Sequence, residues 1–280
     1  MKLSYSDYKT YINCPRLYYN RTNKIEPPER SSKYFSLYGK LIEKFFEKYT
    51  NDFSRNKEPL KDSQIRFFLR DMWNNILEYN YVNWSEPWVK ETSDEIFDSV
   101  YNDVKANLDI FDFWKYSRSE VTLEVLLKKN KDILKGRVDF ICKRPDGVVE
   151  IIDGKGTRKV DKTVDIEQLY FYALLYMLKN KRLPDKLGFL YYKFHMIKYI
   201  DFDMDSIMEF KDKLALVKKA IKADEKFECK VGISKQCKWC EYQLECPGFI
   251  NKKKMLAEKR AAKSKIHIPD SNGEVISFSA

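Results

Sequence analysis

The sequence predicts an α/β (α+β) protein whose mixed central β-sheet is flanked by helices. Runs rich in β-branched and aromatic residues over 121–127 and 134–153 predict strands. Apolar residues spaced i, i+3, i+4, i+7 over 38–49 predict an amphipathic helix, and a second such stripe covers 165–180. Two strands followed by a helix and further strands are typical of a mixed sheet covered by helices. With 280 residues, the chain can form one large domain or a core with an inserted helical lobe.

The composition is that of a soluble globular protein with a basic surface. The chain is 44% hydrophobic and 34% charged, and its formal net charge of +10 favours a polyanionic partner. It begins without an apolar signal region and has no stretch that could span a bilayer, so we expect a cytoplasmic (intracellular) protein without a membrane partner. Only His195 and His267 are present, which leaves little material for histidine-based acid–base or zinc catalysis.

Two helical regions are expected before the sheet. Residues 3–20, which include Cys14, are predicted to form a helix that begins at a serine cap. Residues 60–116 are predicted to form a helical lobe, broken near Pro87 because the residue before a proline avoids the helical conformation. The aromatic residues of this lobe could stack on unpaired bases or simply fill a core.

The stretch 134–155 predicts a β-hairpin that brings two carboxylates together. A Pro-Asp-Gly turn separates its two apolar arms. A three-residue loop at 145–147 would place Asp139 directly opposite Asp153. Because side chains alternate along a strand, Asp153 and Lys155 share one face.

Two close carboxylates and an ammonium group need a physical reason to converge. The carboxylates repel each other and are costly to bury without a partner. A hard divalent cation such as Mg²⁺ or Mn²⁺ prefers oxygen ligands and would resolve the conflict. Lys155 could then orient or polarise a water and offset the charge of a phosphate. The alternative interpretation is an ordinary hairpin with charges at its edge.

The motifs resemble those of a known family. Gly136-Arg137-Val138-Asp139 and Ile152-Asp153-Gly154-Lys155 are similar to the core of the PD-(D/E)XK nuclease superfamily, RecB-like branch. Gln168 and Tyr172, spaced i, i+4 on a predicted helix, resemble the motif that follows the catalytic lysine in that branch. The resemblance implies a restriction-endonuclease-like core, and it places these two residues at the catalytic pocket or against DNA. It covers most of the chain and is weakest over 50–118.

The resemblance also implies the roles of the hairpin residues. Asp139 and Asp153 would bind Mg²⁺ or Mn²⁺, the Gly154 carbonyl would be a third ligand, and Lys155 would be catalytic. Many relatives carry a histidine ligand on the preceding amphipathic helix, and Glu43 stands at the matching position. A glutamate can hold a hard cation directly or through water. The alternative for Glu43 is a solvated charge at the edge of an apolar face.

A polar stretch, 156–164, follows the hairpin and is expected to lie near the active face. Its basic residues Arg158, Lys159 and Lys162 are predicted to contact DNA phosphates.

The remaining elements follow the predicted helix. Residues 186–195 and 196–202 predict two strands, and 205–224 predict a helix with charged and apolar faces. The run 252–265 is strongly basic and either is solvated or follows a DNA backbone. Residues 266–280 are expected to be irregular.

Four cysteines are predicted to face one metal centre. Cys237, Cys240 and Cys246 form a C-x₂-C-x₅-C pattern, and Cys14 is the obvious fourth ligand. In an intracellular chain this set favours metal binding over disulfides, and thiolates favour zinc or an iron–sulfur cluster. One upstream and three downstream cysteines around a nuclease core resemble RecB-like nucleases with a 4Fe–4S cluster, among them the CRISPR-associated exonucleases of the RecB type and the AddB nuclease subunit. The resemblance implies a 4Fe–4S cluster, with Zn²⁺ as the alternative.

Such a cluster would be a structural staple. Joining Cys14 to the C-terminal cysteines closes a very long loop, which stabilises the fold by on the order of 5 kcal/mol in the loop-entropy model. Cys142 is predicted to be a core residue. Cys229 is predicted to be a free thiol, with a role as an alternative ligand left open.

These predictions divide the chain into five segments. They are the N-terminal segment with the first cluster cysteine, the helical lobe, the PD-(D/E)XK nuclease core, the iron–sulfur segment and the basic tail, over 1–30, 31–118, 119–226, 227–250 and 251–280.

The expected function is that of a metal-dependent DNA exonuclease that hydrolyses phosphodiester bonds in recombination, repair or CRISPR-type DNA processing. The sequence has no Gly-x₄-Gly-Lys-Ser/Thr loop, so we expect single strands or free ends as substrate, or a separate helicase or recombination partner. The alternatives are a structure- or site-specific endonuclease of the same superfamily and a non-catalytic DNA-binding module stapled by a metal site.

Overall fold

The structure is a computed structural model. It describes residues 1–28, 32–53, 60–87, 89–127, 131–157, 165–230, 237, 240–264, 268–269 and 275–276, with side chains up to residue 257. Within these ranges, no helix is both long enough and apolar enough to cross a bilayer.

The predicted mixed sheet is present and has six strands. Its longest strand is β3 (Asp132–Lys143), and β2 (Ser117–Leu127) pairs antiparallel along one edge of it. The other edge of β3 is shared by two strands. β1 (Lys2–Leu3) pairs parallel near the start of β3, and β4 (Val149–Lys155) pairs antiparallel near its end. The stretch of β3 between these two partners is therefore open on that edge.

Two further strands complete the sheet. β5 (Lys186–Tyr191) pairs parallel with β4, and β6 (Met196–Ile200) pairs antiparallel with β5. The predicted strand 186–195 is too long. A 3₁₀ turn over Tyr192–Phe194 ends it, and His195 at φ 49° reverses the chain.

The predicted hairpin joins β3 to β4. The Arg144 N–H donates to the Val148 carbonyl at 2.9 Å, which leaves 145–147 as the loop, as predicted. Gly147 sits at φ 88°, a conformation that glycine adopts without the strain of a side chain.

The helical lobe contains α3 (Leu37–Lys48), α4 (Asp62–Tyr79), α5 (Ser93–Asn107) and the short α6 (Phe111–Tyr116). The predicted break near Pro87 lies in the connection between α4 and α5. The apolar stripe of α3 is buried, as its spacing predicted, and faces the helices and sheet residues of the main core. The lobe is therefore built onto the sheet through a continuous core.

Most of the lobe's aromatic residues serve that core rather than an exposed stacking surface. Trp73 and Trp114 are buried, and Phe46 stacks on Trp114 with ring centroids 4.5 Å apart. Trp84 is 38% exposed, and Trp88 lies outside the described residues.

On the other side of the hairpin, α7 (Ile166–Asn180) packs across β2 and β3, and α8 (Met204–Ala223) follows β6. Seven residues of α7 are buried. This position brings the polar side chains of its first two turns to the open edge of β3.

The N-terminal helix differs from prediction. Residues 3–20 form two helices, α1 (Tyr5–Asn13) and α2 (Pro15–Thr22), because Cys14 is extended at φ −161° and ψ 106°. The proline that follows disfavours a helical conformation at this cysteine.

The chain divides into two compact units. The first contains Met1–Tyr8 and Ser31–Lys218, and the second contains Lys9–Arg30 and Lys219–Ala280. The sheet lies entirely in the first unit. All the cysteines except Cys142 lie in the second, and Cys142 is buried in the first as predicted.

The C-terminal region has more regular structure than predicted. The basic run lies on α9 (Pro247–Ser264), since its residues are good helix formers. β7 (Ile268–Pro269) and β8 (Val275–Ile276) pair antiparallel in the stretch that we expected to be irregular.

Candidate active site and thiol cluster

The two predicted acids border the opening between β3 and β4. The β3–β4 ladder ends at Phe140 and Ile152, one residue before Asp139 and Asp153 in register, while β4 stays paired with β5 up to Lys155. Because β1 takes up the same edge of β3 nearer its start, the opening is a notch inside the sheet rather than a free edge.

In this notch a side chain, rather than the backbone of a neighbouring strand, accepts a backbone N–H of β4. The Gly154 N–H donates to Asp139 Oδ2 at 2.8 Å. The Asp153 side chain is only 2% exposed and forms an ion pair with Lys155. The hairpin therefore holds both carboxylates beside the end of β4, as its spacing predicted.

Lys155 is connected to α7 through a chain of hydrogen bonds. Its ammonium donates to Gln168 Oε1 at 3.0 Å, and Gln168 Nε2 donates to the Tyr172 hydroxyl at 3.1 Å. The ammonium also lies 5.3 Å from the centre of the Phe189 ring. The i, i+4 spacing on α7 thus fixes the orientation of the glutamine, which in turn holds the lysine beside Asp153. The structure brings these predicted residues together, and their roles stay predictions.

Glu43 reaches the site from α3 because Gly156, which follows β4, lets this helix come close. A Cβ on Gly156 would lie 3.2 Å from the Gly39 Cα, a contact that any side chain would push apart. Glu43 keeps contact with solvent, yet protein surrounds much of it. This desolvation, together with the charges of Asp153 and Glu120, raises the pKa of Glu43 to about 7.

Glu120 is a neighbouring acid that we did not select from the sequence. It lies on β2 between the two pairs that flank Asp139, and its φ of 53° is a strained value for a residue with a side chain. It forms an ion pair with Arg137. Burial raises the pKa of Glu120, and its charge in turn raises the pKa values of Glu43 and Asp139.

Tyr192 is a second residue that sequence reasoning missed. Its side chain is fully buried, and its hydroxyl has no hydrogen-bond partner among the described residues. A Cβ on Gly154 would lie 2.9 Å from the Tyr192 Cζ and would collide with the hydroxyl. Burial first, then the charges of Asp139 and Glu43, raise the pKa of Tyr192 and keep it neutral. Its O–H is therefore an unused donor beside the carboxylates.

The electrostatics of the notch favour a bound cation. Burial, with the charge of Asp153 as the second cause, raises the pKa of Asp139, and the Gly154 N–H offsets this only in part. Burial also raises the pKa of Asp153 despite the opposing effect of Lys155. One ammonium thus faces several carboxylates, and carboxylate oxygens are the donors that Mg²⁺ and Mn²⁺ prefer.

The side chains are not yet arranged around a common point. Among the described residues, no three His, Cys, Asp or Glu side chains are positioned to hold a metal ion together. Asp139 is turned toward the Gly154 N–H and Asp153 toward Lys155, so ion binding requires rotation of these carboxylates. The donor chemistry fits a hard cation.

In the second unit, five cysteines line one cavity. Its volume is about 130 Å³, and the cysteines around it are Cys14, Cys229, Cys237, Cys240 and Cys246. All five thiols are free. The four cysteines that the sequence singled out therefore lie close together, although the chain separates the first from the other three.

Cys229 belongs to this group as a fifth thiol. Its Sγ lies 2.9 Å from the Cys246 Sγ. Burial first, then the neighbouring thiols of Cys246 and Cys14, raise the pKa of Cys229. Cys229 is a free thiol, as predicted, but it lies against Cys246 in the cluster, and the alternative of a ligand position stays open. The cavity fits a soft metal centre in its donor set, since it presents more thiols than such a centre needs.

The three basic residues predicted to contact phosphates, Arg158, Lys159 and Lys162, lie outside the described residues.

Comparison with protein families identifies the class. A model of the PD-(D/E)XK nuclease superfamily matches residues 2–247, so the chain belongs to this superfamily. Its members typically use a divalent metal, and their substrates are nucleic acids. No functionally curated protein matches the sequence.

Two solved structures are similar to this chain. One is a candidate exonuclease from Eubacterium rectale, with 12% identity, a TM-score of 0.46 and coverage of 79% of this chain and 80% of that one. The other is SSO0001, with 14% identity, a TM-score of 0.32 and coverage of 74% and 94%.

The first prediction concerns the cost of holding the acids together without metal. A carboxyl whose folded pKa is raised contributes stability at low pH, and this is lost as pH rises through the folded value, about 7 for Glu43. Asp139→Asn removes one charge, while its amide oxygen can still accept from Gly154. At pH 8 without divalent metal, we expect this variant to gain about 1 kcal/mol or more in free energy of unfolding, measured with urea.

The matched control is Asp146→Asn in the exposed hairpin turn, where the side chain also accepts a backbone N–H. It should leave stability unchanged. Mn²⁺ should stabilise the wild type more than Asp139→Asn. A metal-free Asp139→Asn protein less stable than the wild type at pH 8 would contradict the account.

The second prediction concerns the contact between Gly154 and Tyr192. Gly154→Ala should lower the free energy of unfolding by about 1–3 kcal/mol, because the buried ring has no room to move. Gly39→Ala is the matched control, since a Cβ there meets only Glu43 Oε1 at 3.7 Å, and it should not destabilise the helix. Equal urea midpoints for Gly154→Ala and the wild type would show that the contact is unimportant.

Proposed function

We propose that the protein is a metal-dependent DNA exonuclease that acts on single strands or free ends. The observation that carries this proposal is the connected set Asp153, Lys155, Gln168 and Tyr172, placed beside Asp139 at the notch. Membership of a nuclease superfamily supports the hydrolysis of nucleic acid. The resemblance to the RecB-like branch supports DNA ends as the substrate, and the net charge of +10 is consistent with a polyanion.

In this proposal, Asp139 and Asp153 hold Mg²⁺ or Mn²⁺, with the Gly154 carbonyl and Glu43 as further ligands. The ion, when bound, polarises a phosphoryl oxygen and lowers the pKa of a coordinated water. Its charge also relieves the repulsion between the buried carboxylates, which the raised pKa values of both aspartates record.

The other residues position groups around the scissile phosphate. Lys155 orients the attacking water and stabilises negative charge that develops on the phosphate. Gln168 holds the lysine from one side, and Tyr172 fixes the glutamine. Gln168 and Tyr172 both lie on α7, so they can hold the Lys155 ammonium in position while the substrate strand enters and leaves.

We further propose that four of the five clustered cysteines hold a 4Fe–4S cluster. Cys14, Cys237, Cys240 and Cys246 are the set that the spacing and the resemblance favour. Zn²⁺ is the competing occupant, and chemical analysis separates the two.

The third prediction tests the catalytic lysine. With Mn²⁺ and end-labelled single-stranded DNA, Lys155→Ala and Lys155→Met should each lower the rate of nucleotide release by about 10²–10³-fold. Methionine keeps an apolar stem beside Phe189, so loss in both variants assigns the effect to the charge. Circular dichroism checks that both variants are folded.

The control for this experiment is Lys198→Ala, which changes an exposed lysine on β6 and should keep full activity. Circular single-stranded DNA should stay intact, because an exonuclease needs an end. Cleavage of the circle would identify an endonuclease instead, and unchanged cleavage by Lys155→Ala would remove the catalytic assignment.

The fourth prediction tests the cluster. Protein purified under nitrogen should contain iron and acid-labile sulfide in equal amounts, and Cys14→Ser should lose both. Cys229→Ser should keep them if the predicted four are the ligands. Zinc without sulfide in the wild type would overturn the iron–sulfur proposal, and loss of iron in Cys229→Ser would place Cys229 in the ligand set and contradict the predicted four.

A further inference from the structure

A cationic cleft of about 470 Å³ lies in the first unit, between α7 and the start of β2. Its lining includes four basic residues and two tyrosines, namely Lys115, Arg118, Lys143, Lys179, Tyr116 and Tyr176. No acidic residue lines it. The residues come from three separate elements and the end of α6, so the charge is gathered by the fold rather than by a run in the sequence.

Three of the four basic side chains of this cleft have no carboxylate partner among the described residues. Arg118, Lys143 and Lys179 are exposed, and none has an ion-pair partner in the part of the chain that the structure describes. Other basic residues of the sheet are paired, and Arg144 and Lys186, for example, both contact the buried Glu150. Three unpaired cations around one concave surface attract an anion of several charges.

The cleft continues from the notch along three elements at once. On α7, Tyr172 at the notch is followed one turn later by Tyr176 in the cleft, about 6 Å along the helix. On β3, Asp139 is followed by Ile141 and Lys143, about 7 and 13 Å along the strand. On β2, Arg118 lies two residues from Glu120 and pairs with Ile141.

From this continuity, we infer that the cleft binds the phosphate backbone of the substrate strand a few nucleotides from the scissile bond. The inference rests on the proposed nuclease function and adds the path of the strand. Regularly spaced phosphates match cations that leave the active site in one direction. A small anion would use only one of these contacts.

The test compares long and short substrates. Binding of a fluorescent single-stranded dT₁₂ is measured by anisotropy in EDTA at 50–200 mM salt, so that cleavage does not interfere. In Arg118→Ala/Lys143→Ala, we expect affinity to fall by about tenfold or more, and the slope of log K against log salt to fall in magnitude by about 1.4, which is two phosphate contacts on a single strand. Hydrolysis of the p-nitrophenyl ester of thymidine 5′-phosphate, too short to reach the cleft, should proceed at the wild-type rate with Mn²⁺.

The matched control is Lys90→Ala/Lys198→Ala, two exposed lysines outside the cleft and without an ion-pair partner among the described residues. It should keep the affinity and the salt slope of the wild type. Equal slopes for the cleft variant and the wild type would overturn the inference, as would the same loss in the control.

The outcome is separable from that of the proposed function. A wild type that cleaves neither substrate but shows the cleft-dependent salt slope would overturn the nuclease proposal and leave the strand path standing. If instead the wild type cleaves both substrates and the cleft variant binds dT₁₂ with the affinity and salt slope of the wild type, the nuclease proposal is supported and the strand path is overturned.

Discussion

The site depends on one constraint: two carboxylates are held together at the point where β3 and β4 separate. The hairpin register forces Asp139 and Asp153 to meet, and the loss of the ladder beyond Phe140 opens the space between them. In the described part of the chain, the Gly154 N–H and the Lys155 ammonium offset their charges. Burial and the neighbouring carboxylates make the negative charge harder to hold, and this is the kind of repulsion that a divalent cation would relieve.

The surrounding residues follow from this constraint. Glu43 and Glu120 bring further negative charge from α3 and β2, and each raises the pKa of Asp139. Tyr192 fills the space that the absent side chain of Gly154 leaves, and its neutral O–H is the only unpaired donor we find beside the acids in the described residues. The carboxylate oxygens of the site thus outnumber its donors, which include the Tyr192 O–H and the Lys155 ammonium. This excess of acceptors suits a cation with bound water, and without a cation it lowers the stability of the protein. The gain in free energy of unfolding that we expect for Asp139→Asn without metal has the same cause, namely repulsion between buried carboxylates.

The sequence could predict the parts of the site that depend on local spacing. The hairpin loop, the pairing of the two acids and the i, i+4 relation on α7 all arise within short stretches of chain. Glu120 and Tyr192 could not be found this way, because their proximity to Asp139 depends on the register of β2 and on the 3₁₀ turn after β5. The length of β5 was misjudged for the same reason, since the apolar run continues past the point where His195 reverses the chain. We did not predict the break at Cys14-Pro15, although the local rule that a residue before proline avoids the helical conformation would have indicated it.

The second unit raises a separate question of stability. Its two chain segments are far apart in sequence, and the buried apolar residues that the structure describes in it are chiefly Tyr11, Cys14, Leu17, Tyr18, Ile221 and Tyr242. Polar bonds across the segments, such as Tyr242 to the Ile25 carbonyl at 2.6 Å, each contribute only about 1 kcal/mol. A unit with so small a core needs a cross-link, and five thiols around one cavity offer it. Because a metal bound by thiolates releases their protons and joins both segments, its binding free energy becomes folding free energy for this unit. In our proposal, metals would therefore serve the two sites for opposite reasons: an ion in the notch would relieve repulsion between buried carboxylates, and a centre in the thiol cavity would join two chain segments.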